Sequence, residues 1–135
     1  MVLPPDVEFH QDPRLLVWRP QGLLNENAVN GIIRFMGDEE AKSHKPFDRF
    51  TDTLQIDATD LNFRYIFHVS LFRRLSYSNR PPVKSAILVI DPAVAHYSRM
   101  HAILTQGSPL KVKIFKVREE VAKWLGVPVE MIAPH

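Results

Sequence analysis

The stretch Val83-Lys-Ser-Ala-Ile-Leu-Val-Ile-Asp91-Pro92 decides the architecture. Residues 85–90 form a short run, mostly apolar and rich in β-branched side chains, which suits a strand covered on both faces. Asp91-Pro92 then opens a helix, because Asp accepts hydrogen bonds from free amide groups at a helix N-terminus and Pro at the first position sacrifices no donor. That helix carries Val94, Tyr97, Met100, His101, Ile103 and Leu104 and stops at Gly107-Ser-Pro109. Leu110-Lys-Val-Lys-Ile-Phe115 follows, alternating apolar and basic residues as an edge strand would. Strand, helix and strand in this order call for a crossover connection and parallel pairing.

Towards the C-terminus, a helix opening near Arg118-Glu119-Glu120 buries Val121, Trp124 and Leu125 and closes at Gly126. Towards the N-terminus, Pro81-Pro82 blocks helix, and a helix over 61–77 precedes it, capped by Thr59 or Asp60. Residues 55–60 read as a loop, and Phe47-Asp-Arg-Phe-Thr-Asp-Thr-Leu54 as a strand with Phe50 and Leu54 on one face. A further helix starts at Asn25, spaces Ala28, Val29, Ile32, Ile33 and Met36 by three and four, and ends near His44. Before it, Val7 and Phe9 alternate with polar residues, the chain turns at Gln11-Asp12-Pro13-Arg14, and residues 15–19 return as the second arm of a hairpin. The expected order is ββαβαβαβα. It predicts an α/β fold with a mixed, mostly parallel five-stranded sheet, four helices and an N-terminal hairpin.

The 135 residues are enough for one domain, 1–135, and the composition of 45% hydrophobic and 24% charged residues is that of a globular chain. With no cysteine, thiol catalysis and Cys-ligated zinc are excluded. No apolar run reaches the roughly 18 residues of a membrane span, and the first residues lack the pattern of a signal peptide, so a cytoplasmic location is expected. The total charge of +2 conceals a segregation. Residues 61–118 hold ten Lys or Arg against a single acid, Asp91, a net +9 that leaves −7 for the rest. Such asymmetry steers an anionic partner, or lets acidic and basic surfaces of two subunits face each other. Without a recognisable nucleic-acid-binding signature, DNA or RNA is not the expected partner.

The hairpin up to Gly22, the strand with Thr51-Asp52, the 83–91 strand entering a helix, and Val112-Lys-Ile-Phe115 followed by Glu119-Glu120-Val-Ala-Lys-Trp-Leu-Gly126 together resemble the bacterial SpoIIAA-like proteins of the STAS and CRAL-TRIO group. The resemblance covers nearly the whole chain and rests on hydrophobic pattern and length. It implies a STAS-like fold and a binding or regulatory module. Sporulation-type STAS proteins carry an Asp-Ser-Ser-Gly motif before the second helix whose serine is phosphorylated. The nearest match here is Asp57-Ala58-Thr59-Asp60, which lacks the Ser-Gly context, so Thr59 is expected to be structural.

His96 and His101 lie five apart on one helix, about 140° around its axis, and do not chelate together. Asp48, Asp52, Asp57 and Asp60 fit no calcium loop and read as solvated loop charges. No metal and no cofactor are expected, and neither a nucleophile elbow nor a phosphate loop is present. The informative excess is aromatic. Phe63, Tyr65, Phe67, Phe72 and Tyr77 crowd one helix at more angles than a single core-facing stripe buries, beside Arg64, Arg73 and Arg74. These eight residues are the candidate ligand or partner surface. The expectation is therefore a non-enzymatic module recognising a protein partner or an apolar, lipid-like ligand, as a two-fold homodimer. The alternative is a nucleic-acid-binding protein using the basic 61–118 region, or an enzyme without known signature.

Overall fold

In a computed structural model, residues 2–134 are described. β1 (Val7–Gln11) and β2 (Arg14–Trp18) form the antiparallel hairpin, with Val7 opposite Trp18. β3 (Gly22–Asn25) leads into α1 (Glu26–Ser43), whose first turn is capped by the Asn25 side chain accepting from the Ala28 amide. β4 (Asp48–Asp52), β5 (Ile56–Asp60), α2 (Phe63–Ser76), β6 (Val83–Leu88), α3 (Pro92–Leu104), β7 (Leu110–Phe115), α4 (Arg118–Leu125) and α5 (Val129–Ile132) follow. The main sheet runs β1-β2-β4-β6-β7, parallel except for the hairpin. Asp91 caps α3 as its sequence requires, accepting from the Val94 amide. Gly126 ends α4 in the left-handed region at φ 73°, where a side chain would be strained.

One sheet face is closed by α4 and α5 over Leu15, Val17, Phe50, Ala86 and Leu88. Arg19 and Arg118 flank buried Asp52 on that face. Arg118 Nη1 lies 2.9 Å and Arg19 Nε 3.6 Å from its carboxylate, and both arginines donate to the Ile132 carbonyl, so this cluster ties the C-terminal helix to the sheet. The other face is covered by α1, α2 and α3, with Leu16, Ile32, Met36 and Phe47 at one end and Ile87, Val89 and Val94 at the other.

The five-stranded, mostly parallel sheet of an α/β fold is as expected; four details differ. Residues 55–60 are not all loop, because β5 pairs in parallel with β3 in a small second sheet, and β3 itself was hidden in the turn after the hairpin. Neither Thr59 nor Asp60 caps α2: both belong to β5, and the cap is Asn62, which accepts from the Tyr65 amide at 2.8 Å. There are five helices among the described residues, the fifth a single turn after Pro128. Asp48 and Asp52 are strand residues rather than solvated loop charges; Asp48 accepts from the Lys84 amide.

Candidate functional site

Strand register sets the floor of the site. Leu16 pairs with Arg49, and Arg49 with Ser85, in one row across β2, β4 and β6; Trp18, Thr51 and Ile87 form the next row. Side chains alternate along a strand, so these two rows face the same side as α1, α2 and α3. Above them the three helices do not close. A cavity of about 150 Å³ remains, walled by Val29, Ile32, Ile33 and Met36 of α1, by Ile66, Val69 and Arg73 of α2, and by Val94, Tyr97, Ser98 and His101 of α3. Most of its wall is aliphatic or aromatic, and none of its lining residues is a carboxylate. Fully enclosed and empty, a space of this size would forgo about 3–4 kcal/mol of packing. That is a large fraction of the roughly 5–15 kcal/mol by which a domain is stable.

One end of the cavity is cationic. Arg49 is 2% exposed and Arg73 6%. Arg49 Nη1 donates to the Tyr77 hydroxyl at 2.9 Å, and that hydroxyl donates to Glu40 Oε1 at 2.6 Å. Arg49 Nη2 lies 3.2 Å from the same oxygen, an ion pair off the hydrogen-bonding direction. Arg73 stacks beside the Tyr77 ring, its Cζ 5.2 Å from the centroid, and makes no hydrogen bond or ion pair with the described residues. Burial, and then the neighbouring Arg49 guanidinium, pull Arg73 down to about 10, which leaves it a cation at neutral pH. His101 Nδ1 lies 2.8 Å from the Ser70 hydroxyl. Burial and the nearby Arg73 charge hold its imidazole at about 4, so it is neutral here.

α2 explains why the arginine points inward. Its buried residues are Ile66, Ser70 and Arg73, whereas Phe63, Phe67, Leu71 and Leu75, at intervals of four, and Phe72 beside them are 44–65% exposed. The helix thus buries Ser70 and Arg73 beside Ile66 and leaves most of its large apolar side chains outward. Of the eight candidate residues, Phe63, Arg64, Phe67 and Phe72 lie on the outside. Phe63 also touches the Tyr97 ring, with centroids 5.1 Å apart. Tyr65 is half-buried and ties α2 to α1, its hydroxyl donating to Asn30 Oδ1 at 2.6 Å, and burial followed by the Glu26 charge pushes it up to about 12. Arg74 donates to the Leu104 and Gln106 carbonyls at the end of α3. Arg73 and Tyr77 are buried, and so belong to the interior rather than to an outward surface.

Sequence reasoning missed Arg49, Glu40 and Trp18. The available signal for Arg49 was its place in an interior parallel strand, on the face opposite Phe50, where any side chain is covered.

No family model matches the chain, and no curated protein matches it in sequence. Among solved structures it is similar to the crystal structure of an uncharacterised protein of the DUF3478 family from Shewanella loihica PV-4, described as having a SpoIIAA-like fold. The two share 18% identity and a TM-score of 0.56 over 88% of this chain and 90% of that one. The fold is SpoIIAA-like. Within this SpoIIAA-like fold, Asp57, Ala58, Thr59 and Asp60 lie in β5, with Thr59 paired to Leu24 and Asp60 to Asn25 of β3. No helix among the described residues is long and apolar enough to cross a membrane.

Proposed function

We propose that the chain is a non-enzymatic binding module that holds an apolar small molecule in the cavity under α1, α2 and α3. The observation that carries this reading is the cavity itself, apolar over most of its wall, in a fold that fills its opposite sheet face with α4 and α5. Apolar concave sites with a few convergent polar groups are where small ligands bind. Trp18 lines the cavity while Trp124 packs on the opposite face, so a Trp124→Phe protein carries its reporter at the site. Titration with 1-hexanol is expected to change Trp18 fluorescence saturably, and Ser98→Leu, which fills the space, is expected to abolish the change and raise the urea midpoint. A Ser98→Leu protein destabilised by about 1–3 kcal/mol, the usual result of overpacking, would count against an open cavity.

The exposed apolar ridge of α2 supports a second reading, the two-fold homodimer, with rings rather than charges supplying the association energy. Reciprocal pairing of the acidic and basic parts of the chain would set the orientation. The nucleic-acid reading has less support, because within the basic segment Arg73 is buried and Arg74, Lys84 and Arg118 are hydrogen-bonded inside the fold.

A further inference from the structure

We propose that the molecule held in this cavity is a monoanionic amphiphile, a carboxylate on a small apolar body, with its head group received by Arg73 and Arg49. This rests on the apolar-cavity reading above and adds the chemistry of the head group.

Three observations lead to it. First, Arg73 is buried, lines the cavity and, apart from its stacking on Tyr77, has no hydrogen-bond or ion-pair partner among the described residues; the Nε of Arg49, which also lines the cavity, is likewise without an acceptor. A buried cation left without a carboxylate is strongly unfavourable, whereas a charge-assisted hydrogen bond to a bound anion satisfies it. Second, the charges in the cluster do not cancel. Two buried guanidinium groups face one carboxylate, Glu40, which is already shared between Arg49 and Tyr77, while a third, Arg80, stacks on the Tyr77 ring from the exposed side. His101 is neutral and no described residue of the cavity wall is an acid, so among the buried groups the excess is a single positive charge, which one monoanion balances, Arg80 being solvated. Third, the approach is cationic. A groove between α1 and α2 shares Ile33, Val69 and Arg73 with the cavity and adds the cations Arg34 and Arg80, with Asp38 the one acid among the described residues lining it. Arg73 thus stands where the outer groove meets the interior. The cavity's size, near that of a core cavity that holds benzene, limits the apolar body to a short chain or a single ring.

The test uses the full chain with Trp124→Phe, reading Trp18 fluorescence at neutral pH and constant ionic strength, with hexanoate, 1-hexanol and hexylammonium as probes of one length. Hexanoate is expected to bind at least about tenfold tighter than 1-hexanol, as a charged hydrogen-bond partner warrants, and hexylammonium more weakly than either. Arg73→Met keeps an apolar stem and removes the charge. It is expected to bring hexanoate to within about threefold of 1-hexanol while leaving 1-hexanol nearly unchanged. Equal binding of hexanoate and 1-hexanol by the unsubstituted cavity overturns the anionic head group and leaves the apolar reading intact, whatever the variant does. A hexanoate preference that survives in a folded Arg73→Met protein overturns the assignment to Arg73. Binding of none of the three probes overturns the apolar reading, and this inference with it.

Discussion

Among the described residues Glu40 is the only acid bonded to the buried Arg49–Tyr77 pair, with a second buried arginine beside it. Glu40→Gln leaves two buried cations without a counter-charge and is expected to destabilise by about 3 kcal/mol in urea unfolding. Arg73→Met, which removes the excess charge, is expected to be neutral or stabilising; a loss as large as that of Glu40→Gln would show that Arg73 has a partner in the fold. His101 gives a pH dependence whose sign follows from its depressed pKa. The unfolded imidazole binds its proton near 6.5, whereas the folded one waits until about 4, so the unfolded state is the more protonated between those values. Stability is therefore full above about pH 6.5 and falls as pH drops towards 4, by an amount on the order of 1–3 kcal/mol. Urea midpoints measured across this window should lose that slope in His101→Gln. An unchanged slope would show that the imidazole titrates normally.

At the scale of elements, α2 departs from the usual amphipathic pattern by exposing five large apolar side chains while burying Ser70 and Arg73 beside Ile66. Truncating its large outward rings should matter little to the monomer, whereas its few inward residues should matter much. Phe72→Ala is expected to change stability by less than about 0.5 kcal/mol and Ile66→Ala to cost about 2–4 kcal/mol. The start of α2 offers a parallel comparison. Asn62→Ala removes the cap and is expected to cost about 1 kcal/mol, while Thr59→Ala, on the small β3–β5 sheet, should cost clearly less. Thermal unfolding of the four variants checks both pairs, and a larger loss at Thr59 than at Asn62 would return the cap to Thr59.

For the whole molecule, the outward ridge and the charge segregation meet in the expected homodimer. Sedimentation at micromolar concentration in low salt should show dimer. Phe72→Ala should weaken it mainly by faster dissociation, and added salt mainly by slower association. Monomer alone under those conditions would remove the dimer and leave the rings for another protein or for an apolar molecule.

Much of the architecture was legible in the chain itself because its signals act over a few residues. The 85–90 run, Asp91-Pro92, Asn25 before α1 and Gly126 after α4 each specify an element or its end by local hydrogen bonding and backbone preference. The aromatic excess of the second helix likewise announced that some rings lie outside a single core stripe. Which rings, and what replaces them inside, was decided only by the tertiary structure. β3 and β5 are short and find each other across α1 and β4, and Asn62 rather than Thr59 caps α2 because Thr59 is drawn into that pairing. The cationic end of the cavity depends on Arg49, Tyr77 and Glu40 meeting from positions 28 and 37 residues apart, with Arg73 turned towards them by the orientation of its helix. No local preference encodes such a meeting, because its free energy comes from burial and charge that exist only once the helices lie on the sheet.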